Sequence, residues 1–385
     1  ADPNPEGTTR AVGFIYNNCL SHVSVKNCSG KIFIRGFCVD GATQASLAST
    51  GSQRTNRGFD IVNSELVIEN CTATRCKDAG LHIDNSEVTL NRGFLGYYNY
   101  ELENGSGFLD ARNTDKKTPG LRAVNSSITL SASVEEKFGL PIDAPFQLHR
   151  NAIGAELQNS VLKTPDGYTK GKDINGVALV DAEVNESQTI FFITSYNTGQ
   201  GILANSSEIS LDCGVASYSN DIGVELNNSN MGSTIFQIDH NQNQGLLANN
   251  SVFTYNLGKV SAKPSFDNQF NLTANGQQVK LDNSQFIPVE FSGMCDTYQR
   301  LAFNFPIMID GDFGKGSTQG SVAPSVLLNN NSYMKAVNAE NVVRSFNGLQ
   351  TSLTTGSPYV RETKGAAFSV NGGSTLDLFG TSSFA

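Results

Sequence analysis

A small residue, usually Ser, stands six positions after a glycine again and again along this chain. Gly58, Gly80, Gly120, Gly154, Gly176, Gly201, Gly223 and Gly245 are met at that step by Ser64, Ser86, Ser126, Ser160, Ala182, Ser207, Ser229 and Ser251. The separations Ser64 to Ser86, Ser160 to Ala182, Ser207 to Ser229 and Ser229 to Ser251 are all 22 residues. A fixed period of that size predicts stacked supersecondary units, none of which can bury its own apolar face alone.

The pattern inside each copy predicts strands. The first and third residues after the glycine are apolar, as in Phe59/Ile61, Leu81/Ile83, Val224/Leu226 and Leu246/Ala248. The residue between them is mostly polar, as in Asp60, His82, Arg122, Glu156 and Glu225. That is a two-residue alternation and not a helical stripe. Asn-Ser or Asn-Asn-Ser follows, a pair that tolerates left-handed backbone and bonds its own main chain. Apolar residues then resume at Leu66, Val88, Ile128, Leu162, Val184, Ile209, Met231 and Phe253, and a third short run such as Ile235, Phe236 and Ile238 precedes the next turn. Two or three short strands separated by tight turns fit one coil of a stacked β-structure.

On these motifs the chain resembles the right-handed parallel β-helix superfamily, which includes pectate-lyase-like enzymes, carbohydrate-binding repeat proteins and phage tailspikes. The resemblance runs roughly from Gly13 to Ala385 and is most regular from Gly58 to Phe253. Gly13 to Cys19 reads as an early copy, and Asn283-Ser284, Asn331-Ser332 and Gly373-Ser374 as late ones. It implies an all-β solenoid of about 22 residues per coil with inserted loops. Residues 1–57 are expected to form an irregular lead-in with the first coils, and 58–292 the regular part, with insertions near 94–119 and 133–147. Residues 293–385 are expected to form irregular C-terminal coils or a terminal domain. The scaffold alone does not assign a function, because it hosts unrelated activities.

Composition narrows the classes. Charged residues make up 16% of the chain and the net charge is −9, without a Lys/Arg cluster, which argues against nucleic acid as a partner. No run of 18 apolar residues occurs, so no membrane-spanning helix is expected. The 37 glycines suit a turn-rich chain, because glycine accepts positive φ at no steric cost. The seven cysteines lack zinc-ligand spacing, and thiols are expected rather than a disulfide framework, with a disulfide near the N-terminus as the alternative. The chain starts Ala1-Asp-Pro without Met or a leader pattern, so a processed protein or a fragment of a longer one is expected.

Three constellations bear on chemistry. Asp60, His82, Arg122 and Glu156 stand two after their glycines, with Asp84 four after its own, so all are expected on one face of stacked strands. Paired carboxylates on such a face could hydrolyse a glycosidic bond, whereas simple alternation also puts scattered polar residues there. Asn63, Asn85, Asn125, Asn159, Asn228 and Asn250 stand five after their glycines, and their amides are expected to bond along the stack. Tyr97, Tyr98, Tyr100 and Phe108 form an aromatic insertion, suited either to a subunit interface or to stacking on sugar rings. No metal site and no cofactor are expected.

The resemblance, the sparse charge and the thiols together imply a structural or host-contacting part of a virus particle, such as a tailspike, tail-fibre or decoration protein, without catalysis. Its expected partners are other virion subunits, as a homotrimer, and host surface polysaccharide. A polysaccharide hydrolase or lyase using Asp60, Asp84 and Glu156 is the enzymatic alternative. A bacterial surface adhesin is the third.

Overall fold

The computed structural model describes residues 21–28, 32–41, 56–97, 118–131, 145–164, 191–256, 270–273, 275–289, 307–310, 324, 326–337, 350–351, 358–359 and 368–379. The early copy at Gly13 to Cys19, the copy at Gly176 to Ala182 and most of both expected insertions lie outside these residues. The described residues are all-β, with parallel strands in large sheets and no helix among them, an arrangement that fits a β-solenoid. The chain divides into two compact units, Ala1–Ile193 and Thr194–Ala385.

In the first unit, one sheet carries Ser21–Lys26, Arg57–Val62, Ala79–Asp84, Pro119–Val124 and Ile153–Gln158 in that order. The last four carry the repeat glycines Gly58, Gly80, Gly120 and Gly154, and each strand pairs in parallel with the next. The register keeps like with like: Phe59 lies on Leu81, and Ile61 on Ile83, all fully buried. A second sheet carries Glu65–Thr74, Glu87–Tyr97, Ser127–Ser131 and Val161–Lys163. Phe59 of the first sheet meets Phe94 of the second edge to face, ring centroids 6.2 Å apart.

The second unit repeats the plan. Gln200–Asn205, Ile222–Asn227, Gln244–Asn249, Gln277–Asp282 and Val326–Asn329 form one parallel sheet. Glu208–Tyr218, Asn230–Asp239, Val252–Asn256, Gln285–Val289 and Tyr333–Val337 form the other. The second and third apolar runs of a copy merge in places into one strand of 10 or 11 residues, as in Asn230–Asp239 and Glu208–Tyr218. The merger costs a register shift between Leu211 and Gly214.

The Asn-Ser dipeptides turn one corner. Asn63, Asn85, Asn125 and Asn159 have φ between 47° and 48°, and Asn228, Asn250 and Asn283 between 45° and 50°. Asn accepts this left-handed backbone more readily than other side chains do. The next residue explains why Ser is required there. Each Ser hydroxyl accepts the backbone N–H of the preceding copy's Ser, from Ser64 to Ser86 (3.0 Å), Ser86 to Ser126 (3.1 Å) and Ser126 to Ser160 (3.1 Å). In the second unit the column runs Ser207, Ser229, Ser251, Ser284, Ser332 and Ser374. The late copies at Asn283-Ser284, Asn331-Ser332 and Gly373-Ser374 therefore take the same place. Cys28 joins the column too, its N–H bonding Ser64 Oγ at 3.1 Å. No glycine precedes Cys28 by six, which is why the motif alone does not find it.

Candidate functional site

Strand register places the predicted polar residues in one column of the first unit. Asp60 pairs with His82, His82 with Arg122, and Arg122 with Glu156. Alternation predicts that such residues face water, yet Asp60 is only 3% and His82 7% exposed. Their neighbours cover them. Lys26 Nζ lies 2.9 Å from Asp60 Oδ2, while Arg57 donates to Asp60 Oδ1 at 2.7 Å and to Asp78 Oδ2 at 2.8 Å. His82 Nδ1 lies 2.9 Å from Asp60 Oδ1. Arg122 bridges Asp78 (2.7 Å) and Glu156 (2.8 Å).

The result is one connected network of three carboxylates and three cations, with His82 as its neutral member. Lys26, Arg57 and Asp78 stand outside the repeat positions that the motif defines, so periodicity does not single them out. Asp78 precedes the strand Ala79–Asp84, where a turn residue can reach both arginines. Asp84 does not join. It registers with Val62 and Val124, and only apolar side chains flank it across the sheet.

Electrostatics follow from this packing. Burial by itself raises the Asp60 carboxyl, but hydrogen bonds from Lys26, Arg57 and His82 outweigh it and hold the group below its ordinary value. Asp78 behaves alike between Arg57 and Arg122. Burial, with the Arg57 charge, lowers His82 although Asp60 opposes the shift. Asp60 and Asp78 are thus ionised, and the Asp60 hydrogen bond leaves Nε2 as the open nitrogen of a neutral His82 ring. Protonating a glycosidic oxygen requires a carboxyl whose pKa is raised, and both these shifts run the other way.

This geometry fixes the acid response. The folded-state pKa of His82 lies below 6.5, so as pH falls beneath 6.5 the unfolded chain takes the proton first and stability declines. Asp60 and Asp78 contribute stability above their ordinary value of 3.8, and lose it as pH falls through their lower folded values. A melting series from pH 8 to pH 3 should therefore fall in two stages, the upper one reduced by His82→Gln. Half-buried His22 and His149 are lowered as well, by burial first, and retain part of that upper stage. A flat profile down to the carboxylate range would contradict the network as described.

The outward asparagines also bond in a column. Asn63 donates to Asn27 at 3.0 Å, Asn85 to Asn63 at 2.6 Å, and Asn159 to Asn125 at 3.3 Å. Beside them runs an open trough of about 570 Å³, lined by Asn63, Asn85, Asn125, Glu65 and Glu87 among others. Of the four predicted aromatic residues, only the backbone of Tyr97 falls among the described residues. Tyr97 closes Glu87–Tyr97 in register with Thr74 and His149, and Tyr98, Tyr100 and Phe108 lie outside the described residues.

A further polar column, absent from the motif reading, is buried at another corner of the second unit. Asn197, Asn220, Asn241 and Asn275 are each at most 3% exposed and bond successively through backbone N–H and side-chain amide. The signal for Asn197, Asn220 and Asn241 was an Asn three or four before a repeat glycine. It is faint, because the spacings are 23, 21 and 34 residues. The glycine itself is explained here. A Cβ on Gly223 would lie 2.7 Å from Asn241 Nδ2 and 2.6 Å from Gly245 O.

Cys28, Cys38, Cys71 and Cys76 are thiols and not disulfides, and burial pushes Cys71 up to about 11. Among the described residues no group of three or more His, Cys, Asp or Glu could hold a metal ion, and no helix is long and apolar enough to cross a membrane. No family model, curated protein or solved structure matches the chain.

Proposed function

We propose that this chain is a right-handed parallel β-helix with about 22 residues in a regular coil. Its role is that of a structural, host-contacting component of a virus particle, of the tailspike, tail-fibre or decoration kind. The carrying observation is that the outward polar column of the first unit is neutralised within itself. Asp60, Asp78 and Glu156 are each held by Lys or Arg. A catalytic carboxylate must exchange a proton or attack, whereas a scaffold needs its charges compensated once and permanently. The Ser and Asn ladders point the same way, since they tie neighbouring strands together along each unit. The thiols fit assembly in a reducing compartment before release. The expected assembly is a homotrimer, with host surface polysaccharide as the expected contact.

Mass spectrometry of purified virus particles from the source culture tests this reading. Peptides of the chain should copurify with the particle, and native mass measurement should give three copies. Their absence from particles would remove the assignment. A depolymerase is the second reading, favoured by the Asp60–His82 hydrogen bond, which orients a neutral imidazole base. Release of reducing or unsaturated sugar ends from host polysaccharide, lost in His82→Ala or Asp60→Asn, would establish it in place of the first.

A further inference from the structure

One exposed corner of the second unit differs from its neighbours in the aromatic it places at a shared left-handed turn and in the carboxylate beside it. Left-handed residues precede the buried asparagines: Tyr196 before Asn197, Ser219 before Asn220 and His240 before Asn241, with φ of 55°, 57° and 54°. A bulky aromatic at positive φ is strained, and such strain clusters at ligand sites. Tyr196 is also 55% exposed, so its ring is not there to fill a core. It meets Tyr218 at 5.8 Å between centroids with the planes 82° apart, and its N–H bonds Tyr218 O at 3.2 Å. The two rings thus stand edge to face at this corner, near a right angle.

The second departure is Asp239, in register with Tyr218 on the next strand. Its Oδ2 meets His240 Nδ1 at 2.9 Å and Gln237 Nε2 at 3.3 Å. Its Oδ1 is buried with no hydrogen-bond partner among the described residues. A carboxylate left half-satisfied is costly unless something offsets its charge.

From this geometry we infer that Tyr196 and Tyr218, backed by Asp239, form a binding site for a quaternary ammonium group. Ring faces attract a cation through their quadrupole, and the neighbouring carboxylate adds a negative potential. A primary ammonium would need acceptors for three N–H groups. Here the carboxylate oxygen is shut away from solvent, so a methylated cation that donates no hydrogen bond suits the corner better. The site does not depend on the virion assignment, and its test does not pass through it.

The probes are tetramethylammonium and choline, followed by saturation-transfer NMR on their methyl protons and by tyrosine fluorescence, which no Trp obscures. A dissociation constant on the order of millimolar is expected for two partly exposed rings. The neutral carbon isostere 3,3-dimethylbutanol should bind at least tenfold more weakly. Tyr196→Asn restores the side chain that favours this backbone, so the fold is kept while binding is lost. Asp239→Asn should weaken binding several-fold. Equal binding of the neutral isostere, or unchanged binding by folded Tyr196→Asn, would overturn the site. Flotation with phosphatidylcholine and phosphatidylglycerol vesicles separates the sources: capture by the former alone indicates a lipid headgroup, and capture by neither, with choline bound, a soluble or glycan-borne one. Both support the site.

Discussion

Asn220→Leu is expected to destabilise the second unit by about 4 kcal/mol, although Leu has similar volume and the site is buried. The Asn220 side chain is fully enclosed. Its Oδ1 accepts the Asn197 N–H at 3.0 Å and the Asn197 amide at 2.8 Å. Its Nδ2 donates to Asn241 Oδ1 at 3.1 Å, with Ser217 Oγ and Thr194 O also in reach. Leucine removes both ends at once, taking one acceptor from the Asn197 backbone N–H and amide and one donor from Asn241 Oδ1 in a buried corner. Each hydrogen bond lost at a buried polar group costs roughly 1–3 kcal/mol, and Leu cannot recover that by burial because the side chains around it, Asn197, Ser217 and Asn241, are polar. Denaturant unfolding measures the loss, and hydrogen exchange should accelerate first at Asn197 and Asn241, since stacked repeats couple chiefly to their neighbours. A loss below about 1 kcal/mol would mean that the amide column does not hold this corner.

The second large effect is Phe236→Ala, expected to cost about 4 kcal/mol. Phe236 is fully buried and is the hub of an aromatic cluster. It packs edge to face on Phe253 at 5.2 Å and on Phe286 at 6.2 Å, with Tyr255 at 6.5 Å. Phe253 and Phe286 stack on each other at 5.1 Å, so they cannot both turn into the vacated space without breaking that pair. The surroundings therefore relax little, and the cavity term is kept nearly whole. Phe236→Leu should cost under half as much, because it refills most of the volume. A melting series on the pair checks the order. Equal losses would show that aromatic geometry, and not the cavity, sets the cost.

Much of the strand plan was readable because a strand's periodicity is local. Phe59 and Ile61 alternate with Asp60 whatever the rest of the chain does, and a glycine six before a Ser marks the same place in each regular copy. The Asn-Ser corner was readable for the same reason, since left-handed backbone selects Asn within a single turn. Where spacing drifts, the reading weakened. Cys28 occupies the Ser column without the glycine, and Asn197, Asn220 and Asn241 form a column at unequal intervals.

The candidate site shows the other side of that division. Periodicity alone aligned Asp60, His82, Arg122 and Glu156, and the register agrees with it. It had no means of showing that Lys26, Arg57 and Asp78 close over them, nor that Asp84 stands apart. Long side chains reach across strands from positions that no period marks, and their protonation depends on which partner they meet. Local backbone preference, repeated along the chain, thus determined the strands, the corners and the parallel stacking. Only the tertiary structure decided which charges neutralise one another, which asparagines are buried, and where the exposed Tyr196 meets Tyr218 beside a half-satisfied carboxylate, because those follow from distances between residues that are far apart in the chain.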